Sequence, residues 1–225
     1  MPVDCPVRRP DGRRPRLLDL FCGAGGAAKG YQEAGFYVVG VDVRPQPNYC
    51  GDEFYQGDAL SYLHSLSSFD AVHASCPCQA SANVTSWRGD QANHPELIPE
   101  TRELLEATGL PWVIENVPEA AIRHDFLLCG SMFGLPIRRH RAFETNWPAP
   151  VMRTPCWHKG TDLAFMHKGE RAYADAMGCG WMTAVREGRQ AIPPAFTAHV
   201  GAFLMAEVEA RSLAAVSSST TGGER

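Results

Sequence analysis

The sequence has no uninterrupted apolar run of about 18 residues, the length that a membrane-spanning helix requires. Its first residues, Met1 to Arg16, are rich in arginine and proline and contain no apolar signal core. The net charge is only −4, so any binding to nucleic acid must come from a local patch. These absences predict a cytoplasmic protein with a mobile basic arm over residues 1–14, for which phosphate or nucleic-acid contact is an alternative role.

The eight cysteines occur without a secretion signal, which favours free thiols in a reducing compartment over a disulfide framework. A chain of 225 residues can bury a substantial core, and its apolar content of 44% is ordinary for a soluble enzyme. The composition therefore predicts one α/β domain with a small appendage.

A βαβ unit with glycines in its first turn begins the predicted domain. The strand candidate Arg16–Phe21 leads into the run 22–26, Cys-Gly-Ala-Gly-Gly, and a helical pattern follows. A second buried strand, Phe36–Val41, ends at Asp42. Glycines let the backbone approach a ligand, and an acid in this position can accept hydrogen bonds from both hydroxyls of a ribose.

The glycine spacing differs from the G-x-G-x-x-G pattern that seats a pyrophosphate. It suits an adenosine-based ligand with a sulfonium tail, such as S-adenosylmethionine, although a turn serving only packing is the alternative. Asp58 follows a third short strand and could hold the amine of the adenine, or it could be an ordinary residue of a surface turn.

A cysteine element follows the next predicted strand, which begins at Phe69. Cys76 and Cys78 flank Pro77, which stiffens the turn, and catalytic groups of open α/β sheets gather at the carboxyl ends of strands. Either thiol could be a nucleophile, or both could be small buried hydrophobes. The polar stretch Ser81–Pro95 has no core periodicity and is predicted to be a lid or a disordered loop.

Charged side chains follow two later strand candidates. Glu115 stands at the end of Trp112–Ile114, where a carboxylate must be paired or protonated, which suits a proton donor. Helix capping is the alternative role. Arg139 and Arg141 alternate along a strand and are expected to project to one side, toward a phosphate or a carbonyl oxygen, unless they form an ordinary solvated face.

The final part of the chain is predicted to be less regular. Residues 146–175 have little periodicity and a basic bias, which indicates a small appendage. Pro193 and Pro194 suit the first turn of a last helix that extends to about Leu213. Residues 214–225 are rich in serine, threonine and glycine and are predicted to be a disordered tail.

Several zinc-binding residue types occur near the appendage: Cys156, His158, His167 and Cys179. Their spacing matches no common zinc motif, so the sequence predicts no metal and leaves them as unpaired side chains, with zinc as the alternative.

Taken in order, five motifs resemble those of the DNA (cytosine-5)-methyltransferases, in a compact form similar to methylases of bacteriophages. The resemblance covers residues 16–210, and it rests on the cofactor motif Leu18–Gly26, the nucleophile motif Ser75–Gln79, the acidic motif Glu115–Val117, the R-x-R-x-F signature Arg139–Phe143 and the C-terminal segment Ile192–Gly201.

For the fold, this resemblance implies a Rossmann-like, class I S-adenosylmethionine-dependent methyltransferase sheet with a much reduced target-recognition appendage. The catalytic domain would occupy residues 15–145 and 176–213, and the recognition segment 146–175. The implied partners are S-adenosylmethionine and double-stranded DNA with its target cytosine flipped out, with no membrane, in the cytoplasm of a bacterial host if the chain is encoded by a phage.

For the chemistry, the resemblance implies that Cys78 adds to carbon 6 of cytosine. Glu115 would contact the ring nitrogen and amine, while Arg139 and Arg141 would hold the base carbonyl and help to keep the thiolate charged. The loop 81–95 would close over the base. The cofactor-binding residues implied by position are Phe21, Gly23, Gly25, Asp42, Asp58 and Pro77.

The chain departs from the family pattern in two places. Ile137 stands where a glutamine is frequent, and the recognition segment is short, which predicts short or relaxed sequence specificity. Two alternatives remain open, namely a tRNA cytosine-5 methyltransferase with the same motifs and a catalytically silent nucleic-acid-binding homologue.

Overall fold

The computed structural model describes residues 12–64, 66–77, 97–149, 155–160, 169–184 and 186–220. Its strands are β1 (Arg16–Leu20), β2 (Tyr37–Asp42), β3 (Glu53–Gln56), β4 (Ala71–Ala74), β5 (Trp112–Asn116), β6 (Phe126–Cys129) and β7 (His140–Thr145). The α-helices in this part of the chain are α1 (Gly26–Glu33), α2 (Ile98–Ala107), α3 (Glu170–Ala176), α4 (Glu187–Gln190) and α5 (Pro194–Thr220).

The seven strands form one sheet in the order β3-β2-β1-β4-β5-β7-β6. β1 to β5 run parallel to their neighbours, whereas β7 is antiparallel to both β5 and β6. Leu20 pairs with both Val41 and Ala74, and Ala74 pairs with Ile114, so the carboxyl ends of the central strands lie at one edge. The strand order reverses at β1, and open parallel sheets bind ligands at such a reversal.

Helices cover both faces of the sheet. Leu17 of β1 belongs to the same buried cluster as Tyr31 of α1 and Phe196 of α5. Its neighbour Leu18 belongs to the cluster on the other face, together with Leu105 of α2. β1, β4 and β5 are buried along nearly their whole length. Parallel strands with apolar residues on both faces require helices on both sides of the sheet, as observed. The α/β prediction is confirmed.

One strand was not expected from the sequence. Residues 126–133 read as apolar and loosely structured, but they form β6 and a 3₁₀ turn over Gly130–Phe133. β6 gains its order from pairing with β7, where the rings of Phe126 and Phe143 stack with centroids 5.1 Å apart. The sequence of residues 126–133 alone therefore does not predict a strand, because the stabilising partner is β7.

The last helix is longer than predicted. α5 begins at Pro194, as the proline pair suggested, but it continues to Thr220 instead of ending near Leu213. Residues 214–220 are therefore helical and not a disordered tail. Ala214 and Ala215 favour helix. The Ser217 hydroxyl lies 3.2 Å from the Leu213 carbonyl and 2.9 Å from the Ala214 carbonyl, so it bonds within the helix and does not draw the backbone into a turn.

At the other end, Arg14 belongs to the predicted mobile arm, yet its guanidinium lies 2.5 Å from the Asp52 carboxylate and 3.2 Å from the Phe36 carbonyl. Residues 1–11 lie outside the described part of the chain. None of the described helices is both long and apolar enough to cross a membrane.

Candidate active site

The glycine turn after β1 has an unusual backbone. Phe21, Gly23 and Gly25 all have positive φ angles, of 58°, 50° and 86°. A Cβ atom on Gly25 would also lie 2.9 Å from the Cys50 sulfur, so this position requires glycine for both reasons. Phe21 holds a conformation that is rare for a bulky side chain, which is typical of a ligand-binding turn.

Asp42 connects this turn to the end of β2. Its carboxylate accepts hydrogen bonds from the backbone N–H groups of Gly23, at 3.1 Å, and Arg44, at 2.9 Å. A carboxylate has about four acceptor positions, so it can still accept from hydroxyls of a ligand. The side chain is only half-buried, at the carboxyl edge where a ligand would lie.

Asp58 is exposed, and its carboxylate already has local partners. It accepts from the N–H of Leu60 at 3.2 Å and from the hydroxyl of Ser61 at 2.8 Å, at the start of the 3₁₀ helix Leu60–His64. These two contacts are enough to explain why an acid precedes the 3₁₀ helix, so binding a ligand would be a second role for Asp58.

Asp19 is a residue that the sequence reading missed. It is fully buried in β1, and neither carboxylate oxygen has a hydrogen-bond partner among the described residues. Burial raises its pKa well above the usual value, and the charges of Asp42 and Glu115 raise it further. An unpaired buried acid is costly in a packed core and is characteristic of functional sites. A single acid within an otherwise apolar strand was the available signal.

The C-terminal part of the chain packs directly on the glycine turn and α1. The Trp181 indole donates to the Ala24 carbonyl at 2.9 Å, and the Thr197 hydroxyl donates to the Ala27 carbonyl at 2.9 Å. A Cβ atom on Gly26 would lie 2.6 Å from the carbonyl oxygen of Ile192. This close approach fixes one wall of the turn.

The cysteine element begins at the end of β4, next to the end of β5. The side-chain amide of Asn116 donates to the Cys76 carbonyl at 3.1 Å, which holds the start of the element against β5. The Cys76 thiol is buried against the Thr101 hydroxyl at 3.5 Å, and burial raises its pKa to about 11. This thiol is therefore protonated at neutral pH. Pro77 is exposed.

The described residues stop at Pro77 on this side of the site. The predicted nucleophile, Cys78, and the predicted lid, 81–95, both lie outside them.

Glu115 is buried at the carboxyl end of β5 and has two charged or polar neighbours. The Arg141 Nε atom lies 2.7 Å from its Oε1 atom, and the Ser75 hydroxyl donates to Oε2 at 2.9 Å. The acid is therefore paired as a buried carboxylate must be. Neither partner was predicted from the sequence, which assigned Arg141 to the carbonyl of the base and gave Ser75 no role.

A chain of hydrogen bonds continues behind Glu115. The Ser75 hydroxyl lies 2.9 Å from His73 Nε2, and His73 Nδ1 lies 2.9 Å from the Tyr31 hydroxyl. Burial lowers the pKa of His73 to about 3, so the ring is neutral. When Ser75 donates to the carboxylate, it accepts from Nε2–H, and Nδ1 then accepts from Tyr31. Every proton in the chain points toward Glu115.

Arg139 has partners different from those of Arg141. Its guanidinium is buried and donates to the hydroxyl of Tyr173 at 3.1 Å, to the carbonyl of Arg189 at 2.8 Å and to the carbonyl of Ala191. Burial and the charge of Arg141 lower its pKa to about 10. Its Nε atom has no partner in the described part of the chain. The structure thus joins Arg139 to the C-terminal segment, whereas Arg141 is joined to Glu115.

A cleft of about 490 Å³ lies elsewhere, and its lining includes Arg123, Thr145 and Trp147. Thr145 pairs with Val113 near the amino end of β5, so this cleft is at the edge of the sheet opposite to Glu115. It is not part of the site described above.

The strand order and the antiparallel β7 give the Rossmann-like methyltransferase fold, as predicted. Among solved structures, the methyltransferase EhMeth of Entamoeba histolytica matches with a TM-score of 0.58 and 11% identity, over 87% of this chain and 99% of that one. A structure described as a DNA modification methyltransferase encoded within an E. coli prophage matches with a TM-score of 0.44 and 20% identity, over 57% and 45% of the two chains.

Among curated proteins, the Type II methyltransferase M.AgeI of Thalassovita gelatinovora is 25% identical over 118 residues. The match covers 45% of this chain and 28% of M.AgeI. No protein-family model matches the chain.

Proposed function

We propose that the chain is an S-adenosylmethionine-dependent methyltransferase that modifies carbon 5 of cytosine in DNA. The observation that carries the proposal is the pairing of Glu115 with Arg141 and Ser75 beside the Cys76–Pro77 turn. The fold and the partial similarity to a methyltransferase support methyl transfer. The ordered set of motifs supports cytosine carbon 5, and the partial similarity to the Type II methyltransferase M.AgeI favours DNA as the substrate.

The cofactor would bind over the glycine turn. Phe21, Gly23 and Gly25 form a backbone surface that a ligand can approach, and Asp42 would accept from its ribose hydroxyls. Asp58 and Pro77 complete the proposed contact set. Bound there, S-adenosylmethionine supplies an electrophilic methyl group on a sulfonium.

The chain's own residues would then act on a cytosine flipped out of the duplex, because carbon 6 cannot be reached inside the stack. The Cys78 thiolate would form a bond to carbon 6, which makes carbon 5 nucleophilic enough to take the methyl group from sulfur. Glu115, in its protonated form, would donate a proton or hydrogen bond to the ring nitrogen as negative charge develops. A base then removes the proton from carbon 5, and the bond from Cys78 to carbon 6 breaks.

In this proposal, Arg141 and Ser75 orient Glu115, and Arg141 faces the base carbonyl. Arg139 would hold the C-terminal wall of the site through its bonds to the carbonyls of Arg189 and Ala191. The buried, protonated Cys76 supports Cys78 as the nucleophile, because only a thiolate attacks carbon 6 readily.

The cofactor assignment predicts that Asp42→Asn weakens binding of S-adenosylmethionine about tenfold, because a charged acceptor for the ribose is lost. The amide oxygen can still accept from Gly23, so the turn should keep its shape. Isothermal titration calorimetry measures the dissociation constant. Asp175→Asn, on the exposed side of α3, should bind as the wild type does. Equal affinity of Asp42→Asn and wild type would contradict the assignment.

The reaction is tested by nucleoside mass spectrometry on DNA and small RNA from a host without cytosine methylases of its own. We expect 5-methylcytosine in DNA when the wild-type chain is expressed. The same DNA, sequenced for methylated positions, should show a short or relaxed recognition sequence, given the short segment 146–175. Methylation confined to RNA would favour the tRNA alternative, and no new modified base would favour a silent binding protein.

A further inference from the structure

Two cysteines and two histidines converge beside the β6–β7 pair, outside the site described above. Cys129 ends β6 and His140 begins β7, and the two are directly opposite each other in the antiparallel register. Cys156 and His158 come from the segment 155–160. One ligand atom from each of the four side chains lies within 4.8 Å of the other three.

The contacts among these atoms connect both halves of the cluster. Cys129 Sγ lies 3.2 Å from His158 Nε2, and His140 Nε2 lies 3.2 Å from Cys156 Sγ. Cys156 Sγ lies 2.6 Å from His158 Nε2. The rings of the two histidines meet edge to face, with centroids 5.0 Å apart.

These distances are close to what a tetrahedral zinc ion needs. Bonds of about 2.3 Å to sulfur and about 2.0 Å to nitrogen place neighbouring ligand atoms roughly 3.3–3.8 Å apart. The Cys129–His158 and His140–Cys156 contacts, both of 3.2 Å, are already close to this range. The Cys156–His158 contact of 2.6 Å would have to lengthen by roughly 1 Å, which is a small movement for the exposed His158 side chain.

The hydroxyl group of Ser131, which is not one of the four ligands, lies close to both sulfur atoms. Ser131 Oγ lies 3.5 Å from Cys129 Sγ and 3.7 Å from Cys156 Sγ, so its single O–H can donate to either sulfur. The backbone N–H of Trp157 donates to the same oxygen at 3.2 Å. Hydrogen bonds from outer groups to metal-bound thiolates are a regular feature of metal sites.

We propose that Cys129, His140, Cys156 and His158 bind a structural zinc ion. Binding forms two Zn–S and two Zn–N bonds and releases to solvent the protons that the cysteine and histidine ligands carry at the atoms that bind the ion. Four protein ligands leave no open position for a substrate, so the ion stabilises the structure and takes no part in methyl transfer. The expectation of no metal, drawn from sequence spacing, is replaced by this proposal.

The proposed ion would fasten the segment 155–160 to the edge of the sheet. His140 stands between Arg139 and Arg141, so the same bonds would fix the start of β7 and, through it, the arginine that pairs with Glu115. This role does not depend on which base the enzyme methylates.

Of the two other zinc candidates in the sequence, Cys179 is buried elsewhere, with its sulfur 3.9 Å from the Ile192 carbonyl. His167 lies outside the described residues.

The test is the metal content of the full-length chain, purified without a histidine tag and measured by inductively coupled plasma mass spectrometry. We expect about one zinc per chain. Cys156→Ser and His158→Ala should each lose most of it, and Cys179→Ser is the matched control that keeps it. Cobalt(II) added to the metal-free chain should give the visible absorption bands of a tetrahedral thiolate site, and these bands should be absent in Cys156→Ser.

Removing zinc with a chelator should lower the thermal midpoint of the wild type by roughly 5 °C or more and leave that of Cys156→Ser unchanged. The proposal is overturned if the wild type contains no zinc and gives no cobalt bands. It is also overturned if Cys179→Ser loses as much metal as Cys156→Ser, or if peptide mapping finds Cys129 and Cys156 joined in a disulfide in freshly lysed cells.

Discussion

Replacing Cys78 with serine is expected to lower the rate of methyl transfer to DNA by at least about 10³-fold, whereas Cys76→Ser should keep most of the activity. A serine hydroxyl is not ionised near neutral pH, so it cannot add to carbon 6 at a comparable rate. Cys76 has the environment of a structural thiol, with its sulfur buried against Thr101. Its serine variant preserves that hydrogen bond. Single-turnover transfer of a labelled methyl group measures both rates.

The covalent step can be observed separately. DNA with 5-fluorocytosine has no proton at carbon 5, so the final elimination cannot occur and the cysteine stays attached. Peptide mass spectrometry of the trapped complex should identify Cys78 as the modified residue. An adduct on Cys76, or a greater loss of activity in Cys76→Ser than in Cys78→Ser, would show that the two cysteines have been assigned the wrong way round.

Glu115→Gln is expected to lower kcat by about 10²–10³-fold, with little change in cofactor affinity. The amide keeps the size of the side chain and can still accept from Ser75, but it loses the ion pair with Arg141 and cannot donate a proton to the ring nitrogen. Glu207→Gln, which removes an acid from α5, is the matched control and should behave as wild type. A kcat of Glu115→Gln within twofold of wild type would contradict the proposed role.

Ser75 should act as a positioning residue for Glu115. Ser75→Ala is expected to lower kcat about tenfold while KM for DNA stays nearly constant, because one hydrogen bond to the acid is removed. Ser75→Thr retains the hydroxyl and should restore most of the activity. Ser217→Ala, at the far end of α5, serves as the control. If the threonine variant were as slow as the alanine variant, loss of packing would explain the effect better than loss of the hydrogen bond.

The sequence was informative where function depends on local backbone. The glycine turn requires positive φ angles at Gly23 and Gly25, and the sequence shows this because glycine is the residue that adopts such angles most easily. The parallel order of the central strands likewise follows from the βαβ pattern. Glu115 at the end of β5 was also singled out from the sequence, although its pairing with Arg141 was not.

Features created by distant partners could not be predicted. β6 depends on β7, the chain from Tyr31 to Ser75 depends on α1 packing against β4, and Arg139 is held by carbonyls about 50 residues later in the chain. Ten residues separate Cys129 from His140 in the sequence, and only the register of two antiparallel strands brings the two side chains together.

The hydrogen bonds that join the glycine turn to the C-terminal segment also affect how the protein is made. They connect residues 157 and 170 positions apart, Ala24 with Trp181 and Ala27 with Thr197. During synthesis the turn emerges from the ribosome first, and its partners emerge 157 and 170 residues later. Until then the face of α1 with Ala28 and Tyr31 lacks the cover of α5. A nascent chain is therefore most open to aggregation over this interval, and slowing translation between α1 and α5 should increase its dependence on chaperones.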